Sequence, residues 1–557
     1  MLAFPSTYSV GITSLGFQVV WATLAQRSDV DVRRLFTDQG DPPHGGQRGR
    51  GPDLDLFGLS LSWELDGPVL LELLQRQRIP IWAAGRGDAD PIVFGGGPVL
   101  TANPEPLAPF LDAVLLGDGE LLLPAFLDAL QDCRDAPRAE RLRRLASVPG
   151  VYVPGLYAPR YGEDGSLLAV EPIETGIPAT VSKQTWRGNT LSHSTVITPE
   201  AAWPSIHMVE VVRSCPELCR FCLASYLTLP FRSASLDDGL IPAVETGLAA
   251  TRRLGLLGAS VTQHPQFAEL LHWLDQDRFE DTRISVSSVR AATVTPGLAR
   301  TLARRGSRSL TIAIESGSER MRAVVNKKLC REEIFAAARH TREGGLSGLK
   351  LYGMVGLPTE EADDVEATAS LLLALKQATP GLRLSLGVSS FVPKAHTPFQ
   401  WQGLRPEADK RLKLLAKRLR PKGIELRPES YGWSVIQTLL ARGDRRLAPV
   451  LAQAGADRES LGGWKKAYRS VLAGDTAPAL EGAPPLPPPP DWARLVHEDW
   501  SEATVLPWDH LQGPLPRATL AAHRREALSL AGAGCPGDQA GAAVPSPAVA
   551  AGDGGPE

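Results

Sequence analysis

Three cysteines within eight residues, Cys215, Cys219 and Cys222, constrain this chain more than any other feature. Six cysteines among 557 residues are too few for a disulfide framework. Their crowding into Val211-Val-Arg-Ser-Cys215-Pro-Glu-Leu-Cys219-Arg-Phe-Cys222 reads instead as a metal loop in a reducing compartment. Three thiolates can ligate three irons of a cubane cluster and leave the fourth open to a chelating ligand, whereas an electron-transfer cluster usually takes a fourth cysteine. Structural zinc is the alternative; it needs four ligands, and His207 is the candidate for the fourth. Cys133, Cys330 and Cys535 are scattered, form no second motif, and read as small apolar residues or a tail thiol.

The elements around the motif alternate strand and helix, which predicts an α/β protein. In residues 1–135, Tyr8–Thr13 is a short apolar run and Ser14 a cap for the helix 15–26. The segments 30–36, 54–60, 91–94 and 113–116 read as strands of a small parallel, Rossmann-like sheet. Two glycine loops, Gly95–Gly97 and Gly117-Asp-Gly-Glu120, follow the last two strands, where such sheets place ligands; the plain alternative is tight turns. Residues 136–205 read as a linker region packed on its neighbours. Residues 206–425 hold six βα units, with strands expected at 207–212, 259–262, 284–287, 310–314, 349–354 and 383–391. That predicts a partial (β/α)6 TIM-type barrel with its chemistry at the strand C-termini, where the cysteine loop lies. Residues 426–530 read as a helical region containing a stiff spacer of six prolines over 484–491, and 531–557 as a disordered tail.

The CxxxCxxC spacing, with Phe221 before the last cysteine, is that of the radical S-adenosylmethionine (SAM) superfamily. Other segments resemble the same barrel: Ala313-Ile-Glu315-Ser-Gly-Ser with Asn326-Lys327, Gly353-Met-Val-Gly356-Leu-Pro-Thr-Glu360, and Phe391-Val-Pro-Lys-Ala-His-Thr397-Pro. Gly11-Ile-Thr-Ser-Leu-Gly16, Gly58-Leu-Ser60, Asn103-Pro-Glu-Pro-Leu and Gly117-Asp-Gly-Glu120 resemble radical SAM proteins with a cobalamin-binding-like front domain and no assigned substrate.

The resemblance implies a [4Fe-4S] cluster on Cys215, Cys219 and Cys222 whose open iron binds SAM, and reductive cleavage of SAM to a 5′-deoxyadenosyl radical. It also implies SAM contacts from Phe221, Gly258, Ser260, Ser288, Glu315, Gly353, Gly356 and Val392, and a reductant such as flavodoxin or ferredoxin. Ser287 is an alternative to Ser288, and Glu315 has the alternative of a salt bridge to Arg320 or Arg322. One departure stands out. Many members carry Gly-Gly-Glu after the second strand, where this chain reads Gly258-Ala-Ser260. His264 and His396 lie near strand ends, as proton relays or as hydrogen-bonded structural residues.

Asp41-Pro-Pro-His44-Gly-Gly has one residue too many for the DxHxxG motif that supplies cobalamin with an axial histidine, so a histidine-ligated cobalamin is not expected. Binding without one, through the Ser60 and Gly95–Gly97 loops, is the form left open. A methylthiotransferase with a second cluster fails because the front domain offers only Cys133. The readings that remain are a radical SAM enzyme of unknown substrate, a cobalamin-dependent methyltransferase, and a non-catalytic iron–sulfur protein. A net charge of −3 gives no bulk attraction to nucleic acid or anionic membrane, and the basic run 405–422 reads as the wet side of a helix. No apolar run is long enough for a membrane span and no signal peptide is evident at Met1-Leu-Ala-Phe-Pro, so the expected location is cytoplasmic.

Overall fold

The computed structural model describes residues 1–39, 54–475 and 477–530. The Asp41–His44 segment and the tail from Ala531 lie outside the described residues. The chain starts with a six-stranded sheet of β1 (Leu2–Ala3), β2 (Arg34–Leu35), β3 (Leu56–Ser60), β4 (Ile92–Gly96), β5 (Ala113–Leu115) and β6 (Val151–Tyr152). Its order is β2-β1-β3-β4-β5-β6, with five parallel strands and β6 antiparallel at the edge. This is a doubly wound sheet whose direction of winding reverses between β1 and β3, the place where such sheets open a ligand crevice.

The apolar run 8–13 is not a strand: Tyr8–Gly11 is a helical turn, and the first strand is Leu2–Ala3, buried between β2 and β3. Two residues are too few to show alternation. The strand expected over 30–36 shrinks to Arg34–Leu35 for the same reason. The Ser14 cap forms, its Oγ accepting from the Phe17 N–H at 3.4 Å, and starts the helix Leu15–Ala25.

The region 136–205 carries regular structure that its composition hid. A helix covers Arg138–Ala146, β7 (Tyr157–Tyr161) and β8 (Leu167–Pro172) form an antiparallel hairpin, and β9 (Val181–Ser182) is a short strand.

The barrel strands are β10 (His207–Glu210), continued after one residue by β11 (Val212–Arg213), which pairs with β12 (Arg232–Ser233), and then β13 (Arg253–Leu257) and β14 (Arg283–Val286). They are followed by β15 (Ser309–Glu315), β16 (Gly348–Val355), β17 (Arg383–Ser390) and β18 (Glu425–Pro428). β10-β13-β14 and β15-β16-β17-β18 are two parallel sheets joined by a bridge from Val289 to Ile312. The second strand is therefore Arg253–Leu257 and not 259–262; Gly258, with φ at 154°, ends it, and a Cβ there would sit 2.8 Å from the Val212 carbonyl oxygen. β18 is a seventh strand beyond the six expected.

The helix Ala408–Leu419 buries Leu412, Leu415 and Leu419 and leaves Lys410, Lys413, Lys417 and Arg418 exposed, so most of the basic run lines the wet side of a helix, while Arg411 turns to buried Glu360 at 2.9 Å. The carboxy-terminal helices Tyr431–Arg442, Ala448–Ala454 and Leu461–Leu472 share one continuous apolar core with the first sheet, while the barrel keeps its own. β19 (Leu511–Gln512) pairs with β9, so the carboxy-terminal region returns to the segment that follows the front sheet. No described helix is long and apolar enough to cross a membrane.

Candidate active site

The cysteine loop leaves β11 through Ser214, whose φ of 73° turns the chain sharply, and a second left-handed residue, Leu218 at 53°, bends it again. Such backbone persists only when its surroundings fix it. Asn326 Nδ2 donates to the carbonyls of Glu217 and Leu218 at 3.2 and 2.9 Å. Arg220 Nη1 donates to the carbonyls of Ala323 and Val324, both at 2.9 Å, and the Tyr226 hydroxyl donates to the Leu218 carbonyl at 3.2 Å. Glu217 accepts from Gln263 Nε2 at 2.6 Å and pairs with Arg290. The segments after β11, β13, β14 and β15 thus all grip one eight-residue loop.

Cys219 is 6% exposed and Cys215 and Cys222 are partly buried. Burial pushes the Cys219 thiol up to about 12, and raises Cys222 as well, while each feels the charge of its neighbouring thiols. Two desolvated thiols with a third close enough for its charge to be felt suit a group that supplies positive iron to each. Among the described residues no three His, Cys, Asp or Glu side chains are gathered closely enough for a single metal ion. Tetrahedral zinc would bring sulfurs to about 3.8 Å. His207, the candidate fourth zinc ligand, turns to the helix side instead: its Nε2 meets the Ala243 carbonyl at 2.9 Å and its ring abuts Gly247.

Glu315 ends β15 at a register shift, with φ of 62°, and is 7% exposed. Its partner is Lys327, at 3.0 Å. The alternative partners are engaged elsewhere: Arg320 with Asp364, and Arg322 with Glu319 and the Leu329 and Ser316 carbonyls. Burial works against the Lys327 ammonium, but Glu315 and the nearby Cys219 and Cys222 outweigh it and hold its pKa above the ordinary value. Downstream, Gly317 packs so tightly that a Cβ would come within 2.3 Å of the Thr368 Cα, and Ser318 caps the next helix while donating to Asp364 at 2.6 Å.

The other expected SAM contacts ring the same end of the barrel. Gly353 lies beside Glu315 in the sheet, Ser260 is buried and hydrogen-bonded to Gln263, and Phe221 packs against the cluster of Met321 and Val324. Ser288 and Val392 are half-buried; neighbouring Ser287 donates to the Gly258 carbonyl at 3.0 Å. The Gly356 N–H is taken by Glu360 at 2.6 Å, so with φ at 75° this glycine serves the turn. His264 has both ring nitrogens engaged, by the Ala234 carbonyl at 2.7 Å and the Gln266 N–H at 3.1 Å. His396 is buried beside Gly513, and burial lowers its pKa to about 4.

Two family descriptions match this chain: radical SAM superfamily over residues 209–372, and radical SAM proteins, N-terminal, over residues 16–154. The chain belongs to the radical SAM superfamily. As a member it is an enzyme, and the superfamily implies a [4Fe-4S] cluster and SAM. An uncharacterized protein of Methanocaldococcus jannaschii is 27% identical over 455 residues, covering 81% of this radical SAM chain and 90% of its own length. A tRNA-2-methylthio-N(6)-dimethylallyladenosine synthase of Sorangium cellulosum is 27% identical over 188 residues, covering 29% of this chain and 38% of its own. Among solved structures, the radical SAM methyltransferase TsrM of Kitasatospora setae, with cobalamin and a [4Fe-4S] cluster bound, has a TM-score of 0.48 at 16% identity over 70% of this chain and 74% of its own. The cobalamin-dependent enzyme OxsB has a TM-score of 0.43 at 15% identity, over 67% and 51%. Neither likeness fixes a ligand or a reaction for this chain.

The front domain meets this site through contacts the sequence did not mark. At Gly117, φ is 125° and a Cβ would fall 2.0 Å from the Gln184 carbonyl oxygen, so chain already fills that turn. Asp118 and Glu120 pair with Arg213, at 3.3 and 2.8 Å, two residues before Cys215, and Asp118 also pairs with Arg232 at 2.5 Å. The Gly117–Glu120 loop docks the barrel. Gly97 likewise closes on the Ser60 loop, where a Cβ would meet the Leu61 carbonyl oxygen at 2.4 Å. Glu64, after β3, pairs with Lys394, after β17. The C-terminal ends of both sheets therefore face each other. Asn103 and Glu105, noted only for resemblance, are the other joint: Asn103 donates to the Ala441 and Gly443 carbonyls, and buried Glu105 binds Arg445 at 2.7 Å and Tyr152 at 2.6 Å.

Proposed function

We propose that this chain cleaves SAM reductively at a [4Fe-4S] cluster held by Cys215, Cys219 and Cys222, for radical chemistry on a substrate still to be identified. The observation that carries this reading is the thiol loop gripped by four strand-end segments, with Glu315 and Lys327 beside it. Held by these thiols, a [4Fe-4S] cluster would supply the electron for reductive cleavage of SAM and so the radical chemistry on the substrate. The chain's own residues bind and orient. Glu315 accepts from the SAM ribose hydroxyls or its ammonium, and Lys327 holds that carboxylate in place. Phe221, Gly258, Ser260, Ser288, Gly353 and Val392 shape the rest of the cofactor pocket, and flavodoxin or ferredoxin supplies the electron. The test is anaerobic reconstitution followed by reduction with SAM present: about four irons and four sulfides per chain, and release of 5′-deoxyadenosine, are expected. One zinc and no sulfide would sink the reading.

A cobalamin-dependent methyl transfer is the second reading, favoured by one observation: the β1/β3 crevice opens on the face that Glu64 and Lys394 bring against the barrel. Bound there, cobalamin would supply a methyl carrier, without an axial histidine. Hydroxocobalamin retained stoichiometrically after desalting, with a spectrum unchanged in His44→Ala, would support it.

A further inference from the structure

The inner face of the barrel does not look like a packed barrel core. Along β15–β18 the leucines and isoleucines of one parity, such as Ile312, Leu351, Leu386 and Leu426, are buried under the helices. The other parity faces the lumen. There Thr311, Lys350, Ser385 and Glu425 stand abreast, and one layer nearer the site Tyr352 stands between Ala313 and Gly387, with Arg427 beyond. A closed eight-stranded barrel fills these layers with branched apolar side chains. Here Lys350, Arg383 and Arg427 are exposed and Tyr352 is 50% exposed, so water reaches the lumen.

Two details give this face a chemical character. A Cβ at Gly387 would come 2.9 Å from the Tyr352 ring, so the phenol lies across the glycine with room made for it. The charge is cationic in a chain whose net charge is −3: Lys350, Arg383 and Arg427 share the face with Glu425, which is already paired with Arg427 at 2.7 Å. From Lys350 the strand climbs three residues to Gly353, beside Glu315, a rise of about 10 Å.

We propose that this face binds the anionic end of the substrate: Lys350 and Arg427, with the Tyr352 hydroxyl, hold a phosphate or carboxylate group while the reacting carbon sits about 10 Å further up, beside Glu315 and the three thiols. The inference rests on the function proposed above and adds the substrate class to it, an elongated small molecule with an oxyanion at one end.

Calorimetric titration of the reconstituted holoenzyme with inorganic phosphate, and separately with citrate, at low ionic strength tests it. The unaltered protein is expected to bind at least one of the two, and the double variant Lys350→Gln/Arg427→Gln to bind about tenfold or more weakly. Lys350→Arg should restore part of the lost affinity, and Arg339→Gln, on the outer helix Arg331–Glu343, should leave it unchanged. Preference for phosphate over citrate assigns a phosphorylated end, and the reverse a carboxylate. Binding of neither anion, or equal affinity in the double variant, overturns the proposal. SAM cleavage by the unaltered protein is read on the same preparation; its absence would overturn the proposed function while leaving the anion site standing.

Discussion

In the front sheet the loops after β4 and β5 are closed by other parts of the chain: Gly97 on Leu61, Gly117 on Gln184, and Asp118 and Glu120 on Arg213. In the barrel the equivalent loops are tied by hydrogen bonds to a single cysteine loop, and the strands below them carry polar side chains and water-exposed cations. Both sheets are parallel apart from β6 at the edge of the front sheet, and both bury their helix-facing sides in leucine, isoleucine and valine. What separates them is how their ends are used. The front sheet uses buried charge to hold distant parts of the chain together, as Glu105 does with Arg445, and the barrel leaves Lys350, Arg383 and Arg427 exposed.

The sharpest way to break this contrast is to remove a thiol. Cys219→Ala should abolish cluster absorption and its response to SAM, with loss of all measurable 5′-deoxyadenosine release, while the circular dichroism of the fold is retained. A variant that keeps four irons would remove the distinction between the two sheets.

On the other side of the comparison, Glu105→Gln leaves Arg445 buried without its carboxylate, and a broken buried pair costs about 3–5 kcal/mol. Denaturant unfolding followed by tryptophan fluorescence should show that loss. A change below about 1 kcal/mol would mean that the joint between the chain ends is not a stabilising one.

The same region has a pH signature. Burial lowers the pKa of both His396 and His510 from 6.5 to about 4, with Glu105 and Arg445 beside His510, and His510 itself near His396. Between these values the unfolded chain binds more protons than the folded one, so stability is full above pH 6.5 and falls as pH drops toward 4. Each histidine accounts for about 3 kcal/mol over that window. His510→Gln should flatten the decline in a series of urea melts; an unchanged slope would contradict it.

The smallest effect belongs to the barrel. Glu315→Gln keeps the shape and loses the charge that Lys327 pairs with. SAM affinity should fall by about tenfold to a hundredfold, consistent with about 1.5–3 kcal/mol for a hydrogen bond to a charged group, with iron content unchanged. Lost protein stability at unchanged SAM affinity would assign Glu315 a purely structural role.

Several residues show how far the sequence could be read. Cys215, Cys219 and Cys222, and the places of Glu315 and Gly353 at strand ends, were legible because a metal loop and a strand terminus have local spacing. Asn326 was visible only as part of a resembling segment, and nothing in its neighbourhood announces that its amide holds two carbonyls of a loop more than a hundred residues earlier. Asp118 and Glu120 read as part of a glycine loop, for a ligand or for a tight turn, and only the placing of the sheets end to end paired them with Arg213. The second barrel strand lies several residues before the expected one because Arg253–Leu257 is short and interrupted by a glycine, while the turn after it holds the β-branched, buried Val261 and Thr262.

The sequence by itself determined what depends on spacing along the chain: the thiol triad, the βα alternation, and the apolar parity that buries one side of each strand. The tertiary structure alone decided which distant groups became partners. Lys327 took Glu315 where Arg320 and Arg322 were nearer in sequence, Glu105 met Arg445 across 340 positions, and Lys350, Tyr352 and Arg427 came to line one open lumen. The physical reason is that hydrogen bonds and ion pairs act over a few ångströms of space. Strand order and crossover set that distance, and no local pattern encodes it.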